Sequence, residues 1–213
     1  MMTKLRIFTC ILLLTFVMLP SCSSSLKNPT DTSSMQDLSV SNNPYISPDD
    51  IENAEIVEET EYYKIISSDF IYYYYIFDKN HDIVKFDGFL NKEPYLSIVN
   101  AHLVKVTLQA GTGLGTQWGY YYDINADVFS RVFQSIYDQQ KGKVAYGDIK
   151  KVIVRDIFDK TKYYQEISSF REPLAEVAEP IKNVEFINNG ESVKISYLTG
   201  DNYRETTEIF NLT

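Results

Sequence analysis

Four stretches of alternating residues, each broken by a polar or glycine-containing turn, constrain this chain more than any other feature. In the stretch that begins at Leu103, valine, leucine and alanine alternate with lysine, threonine and glutamine. This is the pattern of a strand with one buried and one solvent-facing side. Strand pairs around short turns predict antiparallel hairpins. The chain is therefore expected to be all-β and mainly antiparallel, with hairpins at residues 69–89, 103–124, 150–167 and 192–210.

The second half of the chain resembles the first through three short matches that occur in the same order. Such ordered matches indicate a tandem repeat, with halves at about residues 60–133 and 143–213. We expect each half to form a four-stranded meander, which resembles a β-propeller blade of the kind found in many exported bacterial lipoproteins. Two blades cannot close a ring, so two tandem sheets packed together are predicted. The matched segments are 76–79 with 157–160, 93–94 with 179–180, and 104–106 with 193–195.

A helix start precedes the first strand signals. Ser47 is followed by Pro48, Asp49 and Asp50, which gives a capping residue, a proline at the first helical position and acids in the first turn. The sequence therefore predicts one short N-terminal helix that ends near Glu58.

The first 22 residues have the layout of a secretion signal. Two cations precede an apolar run at residues 7–19, which is too short to cross a hydrocarbon core of ~30 Å as a helix. The run ends in Leu19-Pro20-Ser21-Cys22, which resembles the lipobox of bacterial lipoproteins. The resemblance implies that the signal 1–21 is removed and that the Cys22 thiol receives a diacylglycerol. This lipid would attach the protein to the membrane.

Processing at Cys22 also determines which chemistry is left to the mature chain. The other cysteine, Cys10, leaves with the signal, so disulfides, thiolate metal sites and cysteine nucleophiles are excluded. The signal carries two of the 20 cations and no acid, so the net charge moves from −9 to −11. An acidic chain does not suit nucleic acid as a partner.

The remaining chain divides into a tether and a β domain. Residues 22–44 are rich in serine and asparagine and lack aromatic residues, which predicts a disordered tether. Residues 45–213 are expected to form a single β domain. The protein is therefore expected outside the cytoplasm, lipid-anchored to a bacterial membrane, with the Gram-positive cell membrane favoured over an outer membrane.

Aromatic residues provide the first candidate ligand site. Tyr72, Tyr73, Tyr74 and Tyr75 are consecutive, and Trp118 is the single tryptophan of the chain. Exposed rings could form a platform that stacks sugars or peptide. The alternative is a central strand whose two faces both pack against partners, with tyrosine hydroxyls that still reach water.

Two polar turns provide a candidate metal site. Both follow the spacing D-x-N-x-D, in which alternating oxygens can converge on Ca²⁺. Neither turn continues with the glycine and glutamate of an EF-hand loop. Asp and Asn are also frequent in turns because they bond their own backbone, so both interpretations stay open. The candidate ligands are Asp78, Asn80 and Asp82 in one turn, and Asp123, Asn125 and Asp127 in the other.

The sequence contains no familiar catalytic motif, and no cofactor is expected. Neither histidine lies in a metal-binding spacing, and no serine lies in a nucleophile elbow. We therefore expect a non-catalytic accessory or interaction protein at the cell envelope, with an envelope protein or a cell-wall component as partner. The alternative is a surface lipoprotein that binds a glycan, a peptide or Ca²⁺ through the tyrosine-rich face or the Asp-rich turns.

Overall fold

A computed structural model describes residues 51–109, 117–148 and 150–213. Cys22, the tether and the glycine-rich segment 111–116 lie outside these residues. The strands, in chain order, are β1 (Glu55–Glu59), β2 (Tyr63–Ser68), β3 (Ile71–Phe77), β4 (Ile83–Leu90), β5 (Tyr95–Asn100), β6 (Leu103–Gln109), β7 (Gln117–Asp123), β8 (Val128–Phe129), β9 (Phe133–Gln134), β10 (Ile136–Gln140), β11 (Lys143–Asp148), β12 (Lys151–Asp156), β13 (Tyr163–Ile167), β14 (Ile181–Ile187), β15 (Ser192–Thr199) and β16 (Arg204–Asn211).

The strands form antiparallel sheets, each made from consecutive segments of the chain. Sheet 1 has the order β1-β2-β3-β4, and sheet 2 has β5-β6-β7-β8 with β9 also paired to β7. Sheet 3 has β10-β11-β12-β13, and sheet 4 has β14-β15-β16. The prediction of an all-β fold built from four-stranded meanders is confirmed.

The number of sheets corrects the sequence prediction. The described residues form four sheets rather than two, because each predicted hairpin belongs to a different sheet. Strands of five to eight residues let a four-stranded meander fit into fewer than 40 residues, as in sheet 1, which spans 55–90. Each predicted half therefore contains two sheets, and β10 lies in sheet 3 rather than between the halves.

Three apolar cores connect the sheets in chain order. Core 1 joins sheets 1 and 2, core 3 joins sheets 2 and 3, and core 2 joins sheets 3 and 4. Sheets 2 and 3 therefore have both faces covered. Accordingly, β7 in sheet 2 and β11 in sheet 3 each contain four consecutive buried residues.

Strand β7 shows how the sequence fills both faces of a covered sheet. Tyr120 and Tyr122 point into core 1, whereas Tyr121 between them points into core 3. Side chains alternate between the faces of a strand, so three consecutive tyrosines supply two different cores. The polar side of β6, which the sequence predicts to face water, is likewise covered: Lys105 reaches Gln139 of sheet 3.

The predicted N-terminal helix is wrong over the residues that the structure describes. Glu55–Glu59 is strand β1, paired antiparallel with β2. Asn53 has a φ of 56°, which interrupts a right-handed helix. The described part of the chain contains a short 3-10 turn at Asn188–Gly190 and no helix long and apolar enough to span a membrane.

The three matched segment pairs occupy corresponding places in the sheets. Segments 76–79 and 157–160 lie at the turns β3–β4 and β12–β13, and 93–94 and 179–180 directly precede β5 and β14. Val104 and Val106 of β6 point into core 1, toward the preceding sheet. Val193 and Ile195 of β15 point into core 2, again toward the preceding sheet. The duplication itself stays a prediction.

The first of these matches is one residue out of structural register. The Phe77 N–H donates to the Tyr62 carbonyl, and the Ile157 N–H donates to the Gly142 carbonyl, both at 2.9 Å and both beside the equivalent turn. By this backbone hydrogen bond, Phe77 occupies the position equivalent to Ile157. The sequence match instead aligns Ile76 with Ile157. A slip of one residue reverses the faces of a strand. Accordingly, Ile76 points into core 1 and Ile157 into core 3.

The two ends of sheet 1 can be distinguished by their connections. The upper end carries the turn 78–82 between β3 and β4. The lower end carries the start of β1, the turn between β2 and β3, and the end of β4, because Glu55 pairs with Ser67 and Leu90 pairs with Ile71. The segment N-terminal to the sheet arrives at the lower end, where the Ser68 hydroxyl donates to the Glu52 carbonyl at 2.7 Å.

Candidate functional site

The four consecutive tyrosines of β3 divide between two faces of sheet 1. Tyr74 points into core 1, and Tyr72 packs at the border of that core. Tyr73 and Tyr75 lie on the opposite face, where the Tyr73 ring stacks on Phe86 at a centroid distance of 5.8 Å and the Tyr75 ring packs against Phe86 at a tilt, at 4.8 Å. Tyr74 and Tyr75 are fully buried. A ligand that reached this strand would therefore meet Tyr72 or Tyr73 rather than the other two.

The Tyr74 hydroxyl forms a buried hydrogen bond that connects sheet 1 to sheet 2. Its partner is the Tyr120 hydroxyl of sheet 2, at 2.7 Å. Burial raises the pKa of both phenols, and for each of them the charge of Asp87 adds to that effect. Both hydroxyls therefore remain neutral, and the bond fixes how sheets 1 and 2 meet.

Trp118 lies in β7 and is partly buried against core 1. Its backbone neighbours in sheet 2 are Leu108 and Gln134. Trp118 and Tyr72 both border core 1 and both remain partly accessible. Ligand binding by these aromatic residues stays a prediction.

The first D-x-N-x-D turn uses its aspartate to hold its own backbone. Asp78 Oδ1 accepts the N–H groups of Asn80 and Asp82 at 2.8 and 2.9 Å, and Asp78 Oδ2 accepts the Asn80 side-chain amide. Desolvation by itself raises the pKa of Asp78, but these hydrogen bonds and the charge of Lys79 together outweigh it and hold the pKa below its usual value. Both carboxylate oxygens of Asp78 are thus already engaged as acceptors.

The second D-x-N-x-D turn has the same chemistry. Asp123 Oδ1 accepts the N–H groups of Asn125 and Ala126, both at 3.0 Å. Asp127 adopts a φ of 50° and accepts the Tyr122 hydroxyl at 2.8 Å. Among the described residues, no group of three or more His, Cys, Asp or Glu is placed to hold a metal ion. Calcium binding by these turns stays a prediction, and the contacts favour the turn-forming interpretation.

A polar cluster at the junction of sheets 2 and 3 was not singled out by the sequence. The Lys105 ammonium and the Tyr121 hydroxyl both donate to Gln139 Oε1 at 3.2 Å. Burial lowers the pKa of Lys105, and the nearby charge of Asp138 partly offsets this. Burial and Asp138 together raise the pKa of Tyr121.

Asp138 extends that cluster to the next sheet. Its Oδ2 accepts the backbone N–H of Phe186 in β14 at 2.7 Å. Strand β10 therefore links sheets 2, 3 and 4 through the adjacent side chains of Asp138 and Gln139. The contacts run from Lys105 and Tyr121 through Gln139 and Asp138 to Phe186, so the cluster positions the three sheets against one another. One feature of the sequence could have indicated this cluster: Lys105 lies within strand β6, on the side that the alternation predicts to face water.

Strongly exposed apolar side chains lie at the lower end of sheet 1 and at the start of sheet 2. Phe70 is 73% exposed, Leu90 is 68% exposed and Tyr95 is 66% exposed, the three highest values among the large hydrophobic residues that the structure describes. The Asn91 N–H donates to the Phe70 carbonyl at 2.6 Å, and residues 91–94 connect Leu90 to Tyr95. We call these three side chains the lower-end patch. The sequence does not distinguish them from core residues, because their exposure follows from their positions at the turn and strand ends.

No family model matches the chain, and the comparison with curated proteins found no similar sequence. Two solved structures of Hsv2 from Kluyveromyces lactis are similar to it in part. One has a TM-score of 0.26 at 8% identity, and the other has 0.25 at 9% identity. Each comparison covers 76% of this chain and 74% of the yeast chain.

Proposed function

We propose that this chain is a lipid-anchored extracytoplasmic protein whose β domain acts as a non-catalytic interaction module at a bacterial cell envelope. The anchor is the diacylglycerol on Cys22, which the lipobox-like residues 19–22 support. The domain engages an envelope protein through the lower-end patch. The exposure of Phe70, Leu90 and Tyr95 is the observation that carries the proposal.

The patch is suited to a protein partner for energetic reasons. Large apolar side chains left in water are stabilised by about 1.5–3 kcal/mol each when a partner buries them. Aromatic residues with polar tips, such as Tyr95, are enriched at interfaces because they bury area and keep a hydrogen-bonding group. Contiguous apolar surface on a soluble domain marks interaction sites.

Site-specific photo-crosslinking in cells tests this function. A photoreactive amino acid replaces Phe70 in the full-length chain, the cells are irradiated, and the membrane fraction is then isolated. We expect one discrete cross-linked species of higher mass that contains a second protein. The matched control places the same residue at Ile209, which is 58% exposed on sheet 4, and should give no such species.

The outcomes separate the proposed function from its alternative. Identical patterns at positions 70 and 209, or no adduct at position 70, would contradict an interaction site at the lower-end patch. A glycan or cell-wall fragment attached at position 70 would instead favour the ligand-binding lipoprotein. A discrete protein adduct that disappears when Leu90 is changed to serine would support the interaction module.

A further inference from the structure

Most edge strands of the described sheets are irregular or very short. The register of pairing shifts in the ladders of β1, β4, β5, β10, β13 and β14. The remaining edge strands of sheet 2, β8 and β9, have two residues each. Such bulges and short strands hinder an exposed edge from pairing with another strand.

Strand β16, at the edge of sheet 4, is the exception. All eight of its residues pair with β15, without a shift of register. It contains neither proline nor lysine, two residues that commonly block an edge. Among the described strands, none pairs with the other side of β16, which we call the free edge. Strand β16 therefore offers a long and regular edge to another strand.

The ladder shows which residues of β16 direct their backbone groups to the free edge. The Leu212 N–H donates to the Glu191 carbonyl at 2.8 Å, one step beyond the pair of Ser192 with Asn211. Bonded and non-bonded pairs alternate along an antiparallel ladder, so the even-numbered residues of β16 bond β15. The odd-numbered residues therefore direct their N–H and carbonyl groups to the free edge. All four of them are exposed: Glu205, Thr207, Ile209 and Asn211.

A second copy of β16 can pair with this free edge only in certain registers. For both copies to bond, odd-numbered residues must lie opposite odd-numbered residues. Two antiparallel registers satisfy this condition and pair the longest stretches of the strand. One pairs residues 205–211 and places Glu208 opposite Glu208, and like charges directly opposite each other are destabilising. The other pairs residues 204–210 and is centred on Thr207.

The register centred on Thr207 places compatible side chains opposite each other. Thr207 lies opposite Thr207 of the second copy, and threonine pairs of this kind stabilise a sheet. Glu205 lies opposite Ile209, which is 58% exposed in the single chain and gains a neighbour on its open side. Arg204 lies diagonal to Glu208 of the second copy, a separation that long side chains of opposite charge can bridge. No like charges lie directly opposite each other in this register.

We infer that two copies of this chain associate through β16, antiparallel and with Thr207 opposite Thr207. The two copies of sheet 4, of three strands each, then join into one sheet of six strands. Main-chain hydrogen bonds hold the copies together, and the side-chain pairs fix the register. Because a two-fold axis at Thr207 relates the copies, the contact is closed and stops at two. The inference is independent of the lower-end patch, which lies on sheets 1 and 2.

Disulfide formation between copies of the full-length chain in detergent tests the register. Residues of a bonded pair have Cα atoms about 5.5 Å apart, which suits a disulfide. Thr207→Cys should give a covalent dimer under mild oxidation, several-fold more than the unchanged protein, which reports any contribution of Cys10 and Cys22. Glu205→Cys and Ile209→Cys should each give little dimer alone, but the two should join when they are mixed and allowed to exchange.

The mass of the particle in solution tests the association without a new cysteine. Light scattering, corrected for bound detergent, should find two copies for the unchanged protein and for the matched control Thr207→Val, which keeps the backbone N–H. Thr207→Pro should give one copy, because proline removes the N–H that points to the free edge and leaves the bonds to β15 in place. Circular dichroism checks that this variant is folded.

A single copy of the unchanged protein at every concentration, or a dimer that persists in folded Thr207→Pro, would overturn the inference. Equal dimer yields from the three single cysteine variants, or no product from the mixture, would overturn it as well. If Thr207→Pro does not fold, the cysteine variants decide. A photoreactive amino acid at position 209 would capture a second copy of this chain rather than a second protein, so a failure of this inference is distinguishable from a failure of the proposed function.

Discussion

The hydroxyl pair between Tyr74 and Tyr120 gives a prediction that single and double substitutions test together. The two oxygens are 2.7 Å apart in core 1, and both residues are buried. Replacing either tyrosine with phenylalanine keeps the ring and leaves the partner hydroxyl inside the core without its bond. Replacing both removes the whole polar pair and leaves two rings of nearly the same shape.

The expected free energies of unfolding follow from that geometry. A buried polar group without a partner costs about 1–3 kcal/mol, whereas removal of both partners is nearly neutral. We expect Tyr74→Phe and Tyr120→Phe each to lower stability by about 2 kcal/mol. The double variant should lie within about 1 kcal/mol of the unchanged protein, which gives a large coupling energy between the two sites.

Thermal and urea unfolding of all four proteins measure this coupling. For a domain of 150–250 residues, a change of 1 kcal/mol shifts the Tm by about 2–4 °C. The single variants should therefore melt about 4–8 °C lower, and the double variant should recover most of that loss. If the double variant loses as much as the two single variants added together, the hydroxyls are not coupled and the reasoning is refuted.

Four further outcomes are expected. Burial raises the pKa of several tyrosines above 10.0 in the folded state, so their stabilisation is complete below pH 10 and is lost as the pH rises through the folded values; in an alkaline pH titration, the buried tyrosines should gain tyrosinate absorbance only together with the loss of the folded circular dichroism signal. Gly119→Ala should lower stability by about 2 kcal/mol or more, since its Cβ would lie 2.4 Å from the Val106 carbonyl oxygen, whereas Gly88→Ala meets only the Tyr73 ring at 3.0 Å and should cost less in the same assay. Cys22→Ala should move the protein out of the membrane fraction on an immunoblot, and an unchanged distribution would contradict the lipid anchor. Millimolar Ca²⁺ should leave the Tm unchanged, because Asp78 already accepts backbone N–H groups; a rise that Asp78→Asn abolishes would favour the metal site instead.

Local sequence patterns were sufficient for the hairpins and their turns. The alternation in Val104, Lys105 and Val106 reflects a period of two, which a strand imposes whatever surrounds it. The turn at Asp78 likewise depends on a side chain that bonds its own backbone two and four residues later. Such short-range features need no knowledge of which sheet a hairpin joins.

The number of sheets depended on contacts that the sequence does not display. The segment 55–59 carries three glutamates around Ile56 and Val57, which is compatible with a helix or with an edge strand. Pairing with β2 decides for the strand. In the same way, Lys105 reads as a solvent-facing residue until sheet 3 covers it.

For the candidate sites too, the sequence predicts the local structure, whereas tertiary packing decides which side chains are buried. A run of tyrosines predicts a strand, but only the tertiary structure buries Tyr74 in core 1 and Tyr75 on the opposite face beside Phe86, and leaves Tyr72 and Tyr73 partly open. Phe70 lies in the turn between β2 and β3, Leu90 ends β4, and Tyr95 begins β5 of sheet 2; these terminal positions leave the three side chains exposed. Hydropathy alone would have assigned all three to a core.

By itself, the sequence determined the all-β class, the positions of the hairpins and the chemistry of the Asx turns, because each depends on residues that are near one another in the chain. Tertiary structure decided that four sheets form rather than two, and which face of each strand is covered. A slip of a single residue, as between Ile76 and Ile157, exchanges the two faces of a strand without changing its composition. Only the packing of one sheet on the next selects between them.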